Sequence, residues 1–309
     1  MRWGLHLGVV AGLLSLNWVL GAYAQGNVAR IMVLATYAMG YNVAFGYTGL
    51  LSLGHAMFFA AGMYGLGIPM YHFGLPAEAA FVVALGCGAG LGLGVALLAL
   101  RTIGVGFMIV TLMFAQATYL CILYFAGWTR GDEGFVLPQS ARTLFGLPLS
   151  DPDIRYLAAW ALFSVTLCLT LWLATRPFGR VLVAIRENED RAALLGYRTW
   201  ARKVAAVTLS ATISAAAGAG YALLFGNTGS TFATVQYSIL PLLWVLLGGA
   251  GTVIGPLIGT AFMFYLIDWA SDVTTAYMAL AGAVLVALTL FAPGGIAGWI
   301  RSRLWRGLP

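Results

Sequence analysis

Long, continuous apolar runs separated by short polar links constrain this chain more than any other feature. As a helix, a run of about 20 residues covers the ~30 Å hydrocarbon layer of a bilayer. The chain has 309 residues, 61% of them hydrophobic and 8% charged. Soluble domains carry about 25% charged residues, and no soluble fold hides this much apolar surface. Outer-membrane barrels alternate apolar and polar residues over short strands, which these runs do not. The expected fold is all-α, a polytopic helical membrane bundle of about 8–10 transmembrane segments, in a single domain covering 1–309.

The runs fall at 5–24, 28–45, 48–70, a segment ending at 100, 105–126, 156–175, 204–225, 239–247 with 253–269, and 276–291. Arg2 followed by an apolar run and Ala22-Tyr23-Ala24 has the outline of a signal peptide, but the next run starts at once, so a retained first span is expected. Two runs do not read as ordinary spans. In 45–65, Gly46, Gly49, Gly54, Gly62 and Gly65 are interspersed with Tyr47, Thr48, Ser52 and His55. Each interior glycine costs a helix about 1 kcal/mol relative to alanine, and the polar groups need partners inside hydrocarbon. In 244–262, Gly248, Gly249, Gly251 and Thr252 interrupt the run, with Pro256 after them. Irregular backbone at membrane depth is tolerated where it is buried in protein or lines a water-filled cavity. Paired Gly/Pro-interrupted segments, one early and one late, point to a transporter's solute path. The alternative is two independent small-residue packing seams.

Charge is unevenly spread. Seven of the 16 basic residues fall within 176–203, and Arg301, Arg303 and Arg306 form a second cluster. The 127–155 link carries Asp132, Glu133, Asp151 and Asp153 against three arginines. With the N-terminus inside and alternating passes, both basic clusters fall inside and 127–155 outside, as the positive-inside rule asks. Within 176–203, Asn188 is a good N-cap, and Glu189 and Asp190 occupy the first turn that a helix dipole favours. Ala192, Ala193, Leu194 and Leu195 form an apolar patch, and Gly196 ends the helix. A short capped helix with an unexplained apolar patch suits docking of a partner better than a solvated connector does.

Other chemistry is thin. Cys87, Cys121 and Cys168 show no metal or redox spacing. No basic surface with aromatic platforms suggests nucleic acid. No G-x-S-x-G or HExxH occurs, and Ser52 and His55 share a span without oxyanion logic. His55 has no neighbouring metal ligands, so no metal and no cofactor is expected. Asp268 and Asp272 share one helix face near a span's end; Asn17, Asn42, Gln116 and Glu78 read as structural or interfacial; Trp128, Trp269 and Trp299 fit an aromatic belt.

Together, FGYTGLLSLGHAMFFAAG, AIRENEDRAALLGY and VLLGGAGTVIGPLIG resemble the LivM-type permease subunits of branched-chain amino-acid ABC importers, in the same order over about 28–298. Relatives of that type serve urea, short amides and aromatic acids. The resemblance implies a bacterial inner-membrane importer with both termini cytoplasmic. Its partners would be a second homologous permease, two cytoplasmic ATP-binding subunits and a periplasmic solute-binding protein. It also implies a coupling helix at 187–196, with Glu187, Asn188, Glu189, Ala192, Ala193, Leu194 and Gly196 as docking residues. No G-x-x-x-x-G-K-[ST] occurs, so ATP would be bound by the partners. One departure stands out. Where the family often carries Ser-Ile-Glu, this chain reads Ser238-Ile239-Leu240 followed by Pro241, which favours a neutral or anionic solute. The competing class is an ATP-independent secondary transporter or channel for a small neutral solute. Ion coupling would call for intramembrane charges that this core nearly lacks.

Overall fold

The computed structural model describes residues 2–273 and, beyond them, 276, 279, 282–284, 286, 287 and 294–298. The expected span at 276–291, the cluster Arg301, Arg303 and Arg306, and Trp299 lie wholly or largely outside the described residues. The helices, in order, are α1 (Arg2–Leu16), α2 (Ala22–Asn42), α3 (Ala56–Phe73), α4 (Ala77–Ala99), α5 (Val105–Tyr124), the single turn α6 (Ala126–Thr129), α7 (Pro152–Thr175), α8 (Pro177–Glu187), α9 (Glu189–Leu194), α10 (Thr199–Phe225), α11 (Val235–Gly248) and α12 (Gly255–Val273). Among the described residues strand is confined to two-residue pairings, Phe135–Val136 with Asn227–Thr228 and Thr143–Leu144 with Leu147–Pro148. This is the all-α polytopic membrane bundle the composition requires. Among the described residues, five helices are long and apolar enough to cross a bilayer.

Burial separates a centre from a periphery. The apolar windows of α2 and α10 are 83% and 78% buried, against 28% for α4 and 22% for α5. The hub is α10, whose SATISAAAGAG run lets three neighbours approach to backbone distance. A Cβ on Gly62 of α3 would lie 1.9 Å from the Ala215 carbonyl oxygen, and one on Gly218 of α10 would lie 1.9 Å from that of Phe59. A Cβ on Gly88 of α4 would lie 2.2 Å from the Ala215 Cβ, and one on Gly40 of α2 would lie 2.6 Å from Ser214 Oγ and 3.0 Å from the Ser210 carbonyl oxygen. Lipid tails are as apolar as leucine, so close backbone packing rather than hydrophobic exclusion holds such helices together.

Two ends can be told apart. One gathers the 127–155 segment: Gln25 Nε2 donates to Asp153 Oδ1 (2.8 Å), Glu78 accepts from the Phe145 amide (2.5 Å), and the Leu137 amide donates to the Gly226 carbonyl (2.8 Å). The other gathers 43–50, 101–104 and 176–203 around a cavity of about 180 Å³. We call these the 127–155 end and the basic end.

Element boundaries depart from the sequence expectation in three places. The first run stops at Leu16 and packs on α7, where Trp160 Nε1 donates to the Val10 carbonyl and Tyr156 Oη to that of Leu13. The third run does not enter a helix at 48; α3 begins at Ala56. The 176–203 loop holds two helices, because Pro177 starts α8 with Val181, Leu182 and Ile185 on its buried face before Asn188 restarts the chain as α9.

Candidate functional site

Both Gly-rich tracts are broken, and the breaks touch. From the basic end, α2 loosens into a π-helical turn, Val43–Tyr47, a form that marks functional irregularities in helices. Residues 48–55 then run without helix, held by short local bonds. Thr48 Oγ1 donates to the Val43 carbonyl (2.9 Å), Tyr41 Oη donates to that of Ser52 (2.9 Å), and the Leu53 amide donates to Thr111 Oγ1 of α5 (3.3 Å). At the second break α11 ends at Gly248, Gly249 and Gly251 take φ of 113° and 80°, and α12 starts at Gly255. Side-chain-bearing residues avoid that region of φ. Thr252 Oγ1 donates to the Gly249 carbonyl (2.7 Å) and accepts from the Gly255 amide (3.1 Å), closing the turn. A Cβ on Gly248 would lie 1.9 Å from the Gly255 carbonyl oxygen, and one on Gly259 would lie 1.9 Å from that of Trp244, so α11 and α12 form a tight antiparallel hairpin.

Three side chains join the two tracts. Asn42 Nδ2 donates to the Thr252 carbonyl (2.8 Å) while its Oδ1 accepts from the Gly251 amide (2.9 Å). Ser238 Oγ of α11 accepts from the Ala56 amide (2.9 Å), satisfying a free N–H at the start of α3. From α8, Arg186 Nη1 donates to the Gly46 carbonyl, and the same nitrogen lies 3.0 Å from where a Cβ on Gly251 would stand. Arg186 therefore touches both breaks from the basic loop.

His55 is 1% exposed. Its Nε2 is 2.8 Å from Ser210 Oγ, which lies 2.5 Å from the Gly40 carbonyl. A carbonyl only accepts, so the Ser210 proton goes to Gly40 and His55 Nε2–H donates to Ser210. This leaves His55 Nδ1 as a buried acceptor without a partner.

The predicted path residues separate into groups. Ser52, His55, Gly248, Gly249, Gly251 and Thr252 belong to the paired breaks. Tyr47 turns the other way, against Leu173, Leu182 and Ala206, and its buried hydroxyl has no partner. Thr48 lines the 180 Å³ cavity at the basic end, with Thr102, Arg186, Glu189 and Lys203. Tyr47, Thr48, Ser52 and His55 are all buried, so the tract is packed shut in this conformation. Sequence reading held Asn42 as structural or interfacial without its partner, and gave no site role to Arg186, Ser210 or Ser238, whose partners are distant in the chain. Among the described residues no group of three metal-ligating side chains comes together.

The basic loop is anchored at one point and bare at another. Asn188 Oδ1 accepts from the Arg191 amide (2.9 Å), capping α9, and Gly196 at φ 85° ends it. Ala192 packs beneath, on Val181 and Ile185. Glu189 pairs with Lys203 of α10 at 2.6 Å. Glu187 and Ala193 are exposed, and Leu194 and Leu195 stand 87% and 76% exposed.

Residues 24–293 match the family described as "Branched-chain amino acid transport system / permease component", and the chain belongs to it. It is thus a multi-pass membrane permease component of an ABC-type importer, a subunit that works with ATP-binding and solute-binding partners. The high-affinity branched-chain amino acid transport system permease protein LivM of Escherichia coli is 28% identical over 297 residues, covering 88% of this chain and 69% of that one. A probable LivM permease of Methanocaldococcus jannaschii is 25% identical over 251 residues, covering 79% and 68%. The autoinducer 2 import system permease LsrC of Photorhabdus laumondii is 32% identical over 146 residues, covering 43% and 42%. No solved structure matches.

Proposed function

We propose that this chain carries a small solute through a gated path at the two Gly-rich breaks. The solute would be a branched-chain amino acid or a related amide or carboxylate. The basic end is cytoplasmic, with the N-terminus on that side, and the 127–155 end faces the periplasm; the charge asymmetry supports this. A second, homologous permease completes the path. Exposed Leu194 of α9 and Leu195 just after it dock on an ATP-binding subunit, which performs the only catalytic step. ATP-driven movement of α8 and α9 reaches the breaks through Arg186 and shifts the balance between inward- and outward-open states. The carrying observation is the convergence of Asn42, Gly46, Gly251 and Arg186, which ties both breaks to the docking loop.

Co-purification and uptake with the full importer test this. Ala193→Asp should abolish association with the ATP-binding subunit and with it uptake. Alanine at Thr48, Ser52 or His55 should lower uptake with association intact. Uptake by the chain alone in liposomes without ATP would overturn the reading.

A further inference from the structure

Arg30 is one of three arginines gathered where α2, α7 and the end of α10 meet: the Arg155 guanidinium lies 3.9 Å from where a Cβ on Gly26 would stand, and that of Arg142 donates to the Leu224 carbonyl (3.4 Å). Arg30 lies on α2, exposed, with its guanidinium 5.0 Å from the centre of the Phe225 ring. It is within electrostatic reach of the Tyr221 and Tyr237 hydroxyls. Among the described residues the one ion pair is Lys203–Glu189, and Arg30 has neither a carboxylate nor a hydrogen-bond acceptor. An aromatic face offsets part of the charge, by about 0.5–1 kcal/mol at an exposed site. It takes none of the five N–H donors. An arginine so placed is a functional feature by default.

A run of rings leads inward from it. Phe225 and Tyr221 are 4.9 Å apart, Tyr221 and Phe232 5.1 Å, Phe232 and Tyr237 5.1 Å. Tyr237 stacks on Tyr37 at 5.9 Å, and Tyr37 meets Trp244 edge-on at 6.4 Å. Trp244 belongs to the α11–α12 hairpin, four residues before Gly248. The first four rings are half-buried, whereas Tyr37 is wholly buried. Tyr221, Phe232 and Tyr237 also pack on buried Phe59, and exposure falls along the wall from the Arg30 end toward the break.

We infer that Arg30 and the wall of Tyr221, Phe225, Phe232 and Tyr237 form an outer recognition station for a solute with a carboxylate on an apolar body and no required ammonium group. A guanidinium matches a carboxylate with two parallel hydrogen bonds, and the rings match the body. The wall carries no carboxylate to pair with an ammonium. Leu240 follows Tyr237 by three residues, and the carboxylate of Asp132, beside the neighbouring turn, already accepts from Ser230 Oγ at 2.9 Å. The inference rests on the importer reading above. The same guanidinium chemistry suits a lipid phosphate, so the test separates the two sources.

The test is thermal unfolding of the full-length chain in nanodiscs of zwitterionic phospholipid. Isovalerate and benzoate are titrated beside their neutral counterparts isovaleramide and benzamide, and beside leucine. The acids should raise the unfolding temperature in a saturable way, the amides should not, and leucine should do no better than isovalerate. Arg30→Gln should weaken apparent acid affinity at least tenfold, with Arg30→Lys in between. Equal shifts from acids and amides, no shift from any solute, or an Arg30→Gln response like that of the unaltered chain would overturn the inference. So would stabilisation by anionic lipid alone that disappears in Arg30→Gln, which assigns the site to a headgroup. Co-purification with the ATP-binding subunit is measured on the same samples. Its absence from the unaltered chain counts against the importer reading and leaves the binding result to stand or fall separately.

Discussion

Asn42 bridges the second break from the first, holding the Gly251 amide at 2.9 Å and the Thr252 carbonyl at 2.8 Å with the two ends of one side-chain amide. Asn42 is 2% exposed, so both backbone groups depend on it. Leaving a buried polar group unpaired costs about 1–3 kcal/mol. Asn42→Ala should therefore lower the unfolding temperature and reduce uptake more than tenfold. Asn42→Asp keeps the acceptor, loses the donor and should fall between. A thermal melt and an uptake assay on the three chains check the order.

Ser238 belongs to α11 yet serves α3, through its bond to the Ala56 amide. Losing a helix-start acceptor costs about 1 kcal/mol. Ser238→Ala should speed hydrogen exchange at the Ala56 amide and the first turn of α3, with little change at the far end of that helix. Uniform exchange across α3 would count against this link between the tracts.

The contact between Gly218 and the Phe59 carbonyl leaves no room for a side chain. Overpacking a filled interior costs about 1–3 kcal/mol or more. Gly218→Leu should drive the chain into aggregates on detergent extraction. Gly90→Ala, on the open face of α4, should be silent by size-exclusion chromatography.

On the loop, the Glu189–Lys203 pair orients α9 while Leu194 and Leu195 stand bare. The Glu189 side chain is 40% exposed, and a pair screened by solvent is worth about 1 kcal/mol or less. Glu189→Gln should weaken co-purification of the ATP-binding subunit severalfold. Leu194→Asp, on the docking surface itself, should abolish it.

The helical class, the two breaks and the capped loop helix were legible in the sequence because their causes are local. Charge depletion over 20-residue windows requires spans, glycine clusters break them, and Asn188 with Gly196 brackets α9. The start of α3 at Ala56 rather than 48 was not legible. It depends on Thr48 bonding back to Val43 and on Ser238 arriving from 182 residues away. Asn42 read only as structural or interfacial because a lone polar residue in a span carries no mark of its partner 209 residues on. Lys203, the one lysine in the chain, had no evident role until α9 folded Glu189 onto it. Such long-range polar contacts leave no periodic trace in a sequence.

Coupling through Arg186 is the central claim, and one comparison tests it most directly: Arg186→Gln in the intact importer, with solute uptake and ATP-binding-subunit association measured on the same membranes. The account predicts normal association, continued ATP hydrolysis and uptake reduced at least tenfold, because the docking surface is untouched while its contact with Gly46 is gone. Uptake equal to that of the unaltered chain would contradict it, as would a fall in uptake that merely tracks lost association.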